Sequence, residues 1–158
     1  MKRIVLALLL AVGLCLGATP AHAAQSTLVE SWPINEAPTY CGYHRTTATH
    51  AGLNNQDVTS RAQVTQGGYC GTPLNFPANW ISTRFWIECG HLALEILDWR
   101  TAYTSPVKGN LAGKNFAQIS KNNTGVCNGK PMRVKQQSGF LLIDGWHYYT
   151  QTTPVVEG

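Results

Sequence analysis

Gly139-Phe140-Leu141-Leu142-Ile143-Asp144-Gly145-Trp146-His147-Tyr148-Tyr149-Thr150 is the stretch that decides the fold. Phe140 to Ile143 and Trp146 to Tyr149 are runs of strand-forming residues, and Asp144-Gly145 stands between them. Asp-Gly favours a two-residue hairpin turn, because glycine adopts the positive φ that the twist of the flanking strands requires. The sequence therefore predicts a β-hairpin here, ended by Pro154.

Working outward from the hairpin, Met132-Arg133-Val134-Lys135 predicts a short strand. Ile81 to Cys89 alternates: Ile81, Thr83, Phe85, Ile87 and Cys89 point one way, while Ser82, Arg84, Trp86 and Glu88 point the other. Period-two alternation is the mark of a half-buried strand. Cys89-Gly90-His91 resembles a hairpin connection into a second strand, in which Trp99 and Tyr103 continue one face. Gln63 to Gln66 runs into Gly67-Gly68, a turn signal, and Gly71 to Asn79 carries Pro73 and Pro77 and reads as a loop. Gly109 to Gly125 is rich in glycine and asparagine, with Phe116 and Ile119 as its anchors. The expected fold is all-β, a single antiparallel β-sandwich or open barrel.

Composition agrees with one small globular domain. The chain has 158 residues, 13% of them charged, and carries a formal net charge of +4. That excludes a coiled coil, collagen and a disordered polyelectrolyte. Its N-terminus has the three parts of a secretory signal: Lys2 and Arg3, an apolar run from Ile4 to Leu16, then Ala21-His22-Ala23 as a small-x-small cleavage site. We expect residues 1–23 to be removed, leaving about 135 residues outside the cell. No apolar run is long enough for a membrane helix, which needs roughly 18 residues or more.

Cleavage removes Cys15 and leaves four cysteines, Cys41, Cys70, Cys89 and Cys127. An even number in an oxidising compartment predicts two disulfides. Of the three connectivities, Cys41–Cys70 with Cys89–Cys127 is preferred because it closes two local loops. The Cys41/His44 and Cys89/His91 spacings do not match the tight ligand pairs of a zinc site, so no metal and no cofactor is expected.

Residues 24–40 precede the disulfide-bonded domain of 41–158 as an extended arm. Pro33 and Pro38 forbid a regular helix there. Leu28, Val29, Trp32 and Ile34 are too apolar for a solvated tail, so the arm should add to a sheet, its own or a partner's. Charge is uneven: residues 24–99 hold three Arg and six acids, residues 100–158 seven basic residues and two acids. This asymmetry suits an anionic partner such as an acidic protein surface or a wall polymer. Nucleic acid is not favoured, because the lysines are widely spaced and no nucleic-acid motif accompanies them.

The candidate chemistry is thin. Glu88, His91 and Arg84 could run acid–base hydrolysis if they met, but no nucleophile elbow, phosphate loop or metal helix motif is present. The five tryptophans are more informative. Most should be core, yet the alternation places Trp86 beside Arg84 and Glu88 on the polar face. Trp and Arg are the usual anchors of protein interfaces. The expected contact residues are Trp32 and Ile34 on the arm, Arg84 and Trp86 on the strand, and Arg100 beside Trp99.

Trp80-Ile81-x-x-Arg84, Cys89, Trp99 to Thr104, Cys127-x-Gly129, Asp144-Gly145-Trp146 and the closing Thr153-Pro154 together resemble small secreted two-disulfide β-proteins of filamentous bacteria. These include the adaptor of umbrella toxin particles, which links a lectin subunit to a long toxin stalk. The resemblance spans Tyr40 to Pro154 and implies a non-catalytic, antibacterial adaptor with lectin and stalk partners. A second resemblance is to secreted inhibitors of hydrolases, protease or amylase. The α-amylase inhibitors carry a Trp-Arg-Tyr triplet, where this chain has Trp99-Arg100-Thr101 and then Tyr103. A small secreted hydrolase using Glu88 and His91 is the third expectation.

Overall fold

The computed structural model describes residues 24–34, 40–52, 55–66, 70–93, 96–122 and 124–157. The signal peptide expected over residues 1–23 lies outside them. The described chain is all-β, with two antiparallel five-stranded sheets. In the first sheet β1 (Ala24–Pro33) pairs with β2 (Tyr40–His50), and β2 with β3 (Gln56–Gln66). The far edge of β3 is shared by the short β4 (Thr72–Pro73) and by β8 (Phe116–Lys121). The second sheet centres on β5 (Ile81–Ala93), which pairs on one side with β9 (Met132–Leu142), itself paired with β10 (Gly145–Thr152). The other side of β5 is shared by β6 (Ile96–Thr104) and β7 (Lys108–Gly109).

The arm takes the first of its two possible sheets. Ala24 to Pro33 pairs residue by residue with His50 back to Cys41, so the extended backbone that the prolines require becomes the edge strand of the chain's own sheet. Ile34, expected as a contact residue, is instead buried with Val64, Phe76 and Phe140. An apolar side chain next to Pro33 gains more from that core than from water. The backbone of Trp32 pairs with Gly42, and its side chain lies outside what the structure describes.

Alternation along β5 is as the sequence predicts, with Phe85, Ile87 and Cys89 buried and Arg84, Trp86 and Glu88 on the opposite face. Two local expectations need correction. No hairpin forms at Cys89-Gly90-His91, because β5 runs on to Ala93 before the chain returns as β6. Gly90 lets Leu97 and Pro131 pack where a side chain would stand, so it serves a close approach. Nor do Trp99 and Tyr103 share a face. Ile87 pairs with Tyr103 but Glu88 with Thr101, so Ala102 is an extra residue. Such a bulge reverses the alternation, sending Tyr103 toward the core against Phe85 and Trp99 outward. The C-terminal hairpin forms one residue earlier than the Asp-Gly signal implies. Leu142 pairs with Gly145, leaving Ile143 and Asp144 at the tip and Gly145 at φ 122°.

Both disulfides follow the sequential pairing, Cys41–Cys70 and Cys89–Cys127, with Cα separations of 5.4 and 5.3 Å. With every cysteine of 24–158 bonded, neither Cys41/His44 nor Cys89/His91 has a thiolate to offer a metal.

The interior is layered. Ala48, Val58, Phe85, Ile87, Met132 and Val134 form one apolar cluster, and Ala62, Val64, Phe76, Ile81 and Phe140 another. Between them each central strand contributes a polar inward residue: Thr46 on β2, Ser60 on β3, Thr83 on β5, Gln136 and Ser138 on β9. Gln136 organises this layer. Its two Nε2 hydrogens are shared among three acceptors, Arg61 O, Thr83 Oγ1 and Ser138 Oγ, and its Oε1 accepts from Thr46 Oγ1. Ser60 and Thr83 hydroxyls meet at 2.8 Å across the two sheets. Most buried polar groups are satisfied in this way, and a satisfied network fixes one registry of sheet on sheet.

Candidate binding face on the second sheet

The outer face of the second sheet gathers aromatic and cationic side chains from three adjacent strands. Alternation on β5 delivers Arg84, Trp86 and Glu88. Alternation on β9 delivers Arg133, Lys135 and Gln137, which stand opposite Glu88, Trp86 and Arg84 in register. The bulge on β6 adds Trp99. Within this set the Arg84 guanidinium lies 4.6 Å from the Trp86 ring centroid, and Lys135 Nζ approaches the same ring at 5.7 Å. Arg133 lies 4.5 Å from the Trp99 ring and donates through Nε to Glu88 Oε2 at 2.7 Å. Arg84 Nε donates to Gln137 Oε1 at 2.9 Å. Each long cation is thus held flat against an aromatic ring or a fixed acceptor, and its rotamer freedom is spent before any partner arrives.

Beside Arg84 the face dips into a groove of about 660 Å³. One wall is Trp146 and Tyr148, stacked at 5.7 Å and 11°. Asn79 and Val107 form part of the lining, with Ser82 and Gln137. The groove depends on two glycines. A Cβ on Gly139 would stand 2.5 Å from Ser82 Oγ and 2.8 Å from Tyr148, and one on Gly109 would stand 2.3 Å from Asn79 Oδ1.

The sequence-predicted residues separate on this frame. Arg84 and Trp86 lie together at the centre of the face. Arg100 does not join them. It pairs in register with Cys89, on the face of β6 opposite Trp99, and is exposed with its Nε 2.8 Å from Asp98. Glu88 and His91 also part: Glu88 is held by Arg133 on the outer face, while His91 Nδ1 lies 3.1 Å from Lys130 Nζ, beyond the Cys127 turn. Residues three apart on a strand project to opposite sides, so this pair does not converge on a reacting atom.

Sequence reasoning missed Arg133, Lys135 and Trp99 as members of the face. The first two were accessible, since Met132-Arg133-Val134-Lys135 alternates as clearly as β5. Trp99 was not, because its orientation depends on a bulge. No protein-family model, no curated protein and no solved structure matches this chain.

Proposed function

We propose that the chain is a secreted, non-catalytic protein-binding module, an adaptor that seats a partner on the outer face of its second sheet. In the resemblance drawn above, the subunits it would link are a lectin and a toxin stalk. One observation carries the reading: Trp86 and Trp99, flanked by Arg84, Arg133 and Lys135, form a contiguous, pre-ordered patch on one sheet face. Trp and Arg dominate the energetics of interfaces, and they do so best when truncation leaves no reorganisation to make up the loss. A linker also needs two surfaces, and a sandwich offers two outer faces pointing opposite ways. The two disulfides fit an oxidising, extracellular setting.

The test is affinity purification of tagged wild type and Trp86→Ala from culture supernatant, with mass spectrometry and a melting curve on each. A lectin and a long repeat protein recovered with wild type, and lost at least tenfold with the variant at unchanged melting temperature, supports the adaptor. A single hydrolase in their place supports the inhibitor reading. Recovery unaffected by Trp86→Ala refutes the assignment of this face.

A further inference from the structure

The outer face of the first sheet contains an arrangement that its own residues do not satisfy. Arg45 on β2 and Arg61 on β3 are direct cross-strand partners. Like charges directly opposite one another on a sheet repel, and among the described residues neither arginine forms an ion pair with a carboxylate. The two line a concavity of about 310 Å³ together with Tyr43, Gln63, Thr65, Cys70 and Gly71. No carboxylate is among these lining residues.

Arg61 is not free to swing away from its neighbour. Its guanidinium lies 4.0 Å over the Phe116 ring of β8. In that position its Nε is buried without a hydrogen-bond partner. A second buried atom of the same concavity, Thr65 Oγ1, is also unpartnered. Native proteins rarely leave buried polar atoms unsatisfied, so two beside one small concavity mark where water or a ligand completes them. Every group on offer can donate: two guanidinium groups, which have no acceptor, a threonine hydroxyl, a phenol and a primary amide. Such a set fits a tetrahedral oxyanion, whose oxygens accept from several directions and whose charge cancels the repulsion between the arginines. The Cys41–Cys70 disulfide ties down one end of the concavity, so the donors are held in place before the anion arrives.

We propose that Arg45, Arg61 and Thr65 form a binding site for a phosphate-type oxyanion on the face opposite the Trp86 patch. The site is independent of the protein-binding reading, because it lies on the other sheet and shares no residue with that patch. Free phosphate and the phosphodiester of a wall polymer have the same chemistry at this site, and the experiment separates them.

The experiment follows the side-chain Nε–Hε resonances of the arginines by NMR in the exported protein. Inorganic phosphate, poly(glycerol phosphate) and sodium chloride at matched ionic strength are each titrated at low salt. A saturable shift of the Arg61 signal with phosphate or the polymer, and none with chloride, supports the site. Saturation with phosphate assigns a free anion, and saturation only with the polymer assigns a wall phosphodiester. Arg45→Gln, an exposed position that leaves the core intact, should weaken binding at least tenfold. Thr65→Val should weaken it severalfold. Shifts that chloride reproduces, or that persist unchanged in Arg45→Gln, overturn the proposal.

Discussion

His44 should make the fold acid-sensitive at a pH where the carboxylates are still ionised. It sits on the inward face of β2, with 0% of its surface exposed. Burial opposes the charged ring and lowers its pKa from 6.5 to about 4. The unfolded chain takes up a proton on this residue near 6.5, while the folded chain does not until about 4. Between those values the unfolded state binds more protons, so stability falls as pH falls and is fully present only above 6.5. At about 1.4 kcal/mol per pH unit, the interval between 6.5 and about 4 is worth about 3 kcal/mol. Against a typical total of about 5–15 kcal/mol, that is a large share. The assay is urea unfolding of wild type and His44→Gln, disulfides intact, at pH 7.5, 5.5 and 4. Other titrating groups move both proteins alike, so the His44 component is the difference between the two curves. That difference should shift in favour of the variant by about 3 kcal/mol across the range. Parallel curves would refute the reasoning, because they would mean that the ring charges as readily inside the sandwich as outside it.

Four further outcomes follow from the packing. Gln136→Leu removes the acceptor of Thr46 and the donor to Thr83, Ser138 and Arg61 O, and should cost about 2–4 kcal/mol in chemical denaturation. A loss under 0.5 kcal/mol would show that the polar layer does not depend on it. Replacing both Cys89 and Cys127 by Ala opens a link across 38 residues and should cost about 4 kcal/mol by loop entropy, read as a lower urea midpoint. Gly139→Ala should displace Tyr148 and the Ser82 hydroxyl and cost about 1–3 kcal/mol, with a change in near-ultraviolet circular dichroism from the Trp146–Tyr148 stack. Arg100→Ala, on an exposed pair, should leave the melting temperature within about a degree and recovery of partners unchanged; a tenfold loss of partner would extend the binding face to the far side of β6.

Several elements were determined by sequence alone because their signals are local. Period-two alternation from Ile81 to Cys89 sorts those side chains onto two faces whatever lies above them. The apolar runs around Asp144-Gly145 form a hairpin, although Gly145 moves the tip to Ile143-Asp144. Pro33 excludes helix and leaves extended backbone over Ala24–Pro33. Cys41, Cys70, Cys89 and Cys127 pair in sequential loops as expected. Arg84 and Trp86 were placed on a common outer face for the same local reason.

What only the tertiary structure decided concerns which segments meet. Whether β1 joins its own sheet or another chain's depends on a register with β2 that no residue in the arm announces, and that register buries Ile34. The extra residue at Ala102 turns Trp99 outward onto Arg133, and a bulge is settled by the partner strand, not by the bulged one. Gln136, His44, Ser60 and Thr83 look like scattered polar residues along the chain, yet they lie inside the sandwich because each occupies an inward position in its strand's alternation. The opposition of Arg45 and Arg61 arises only when β2 and β3 pair. Alternation tells a side chain which face it takes, but sheet pairing and stacking set what it meets there, and those depend on contacts between residues far apart in sequence.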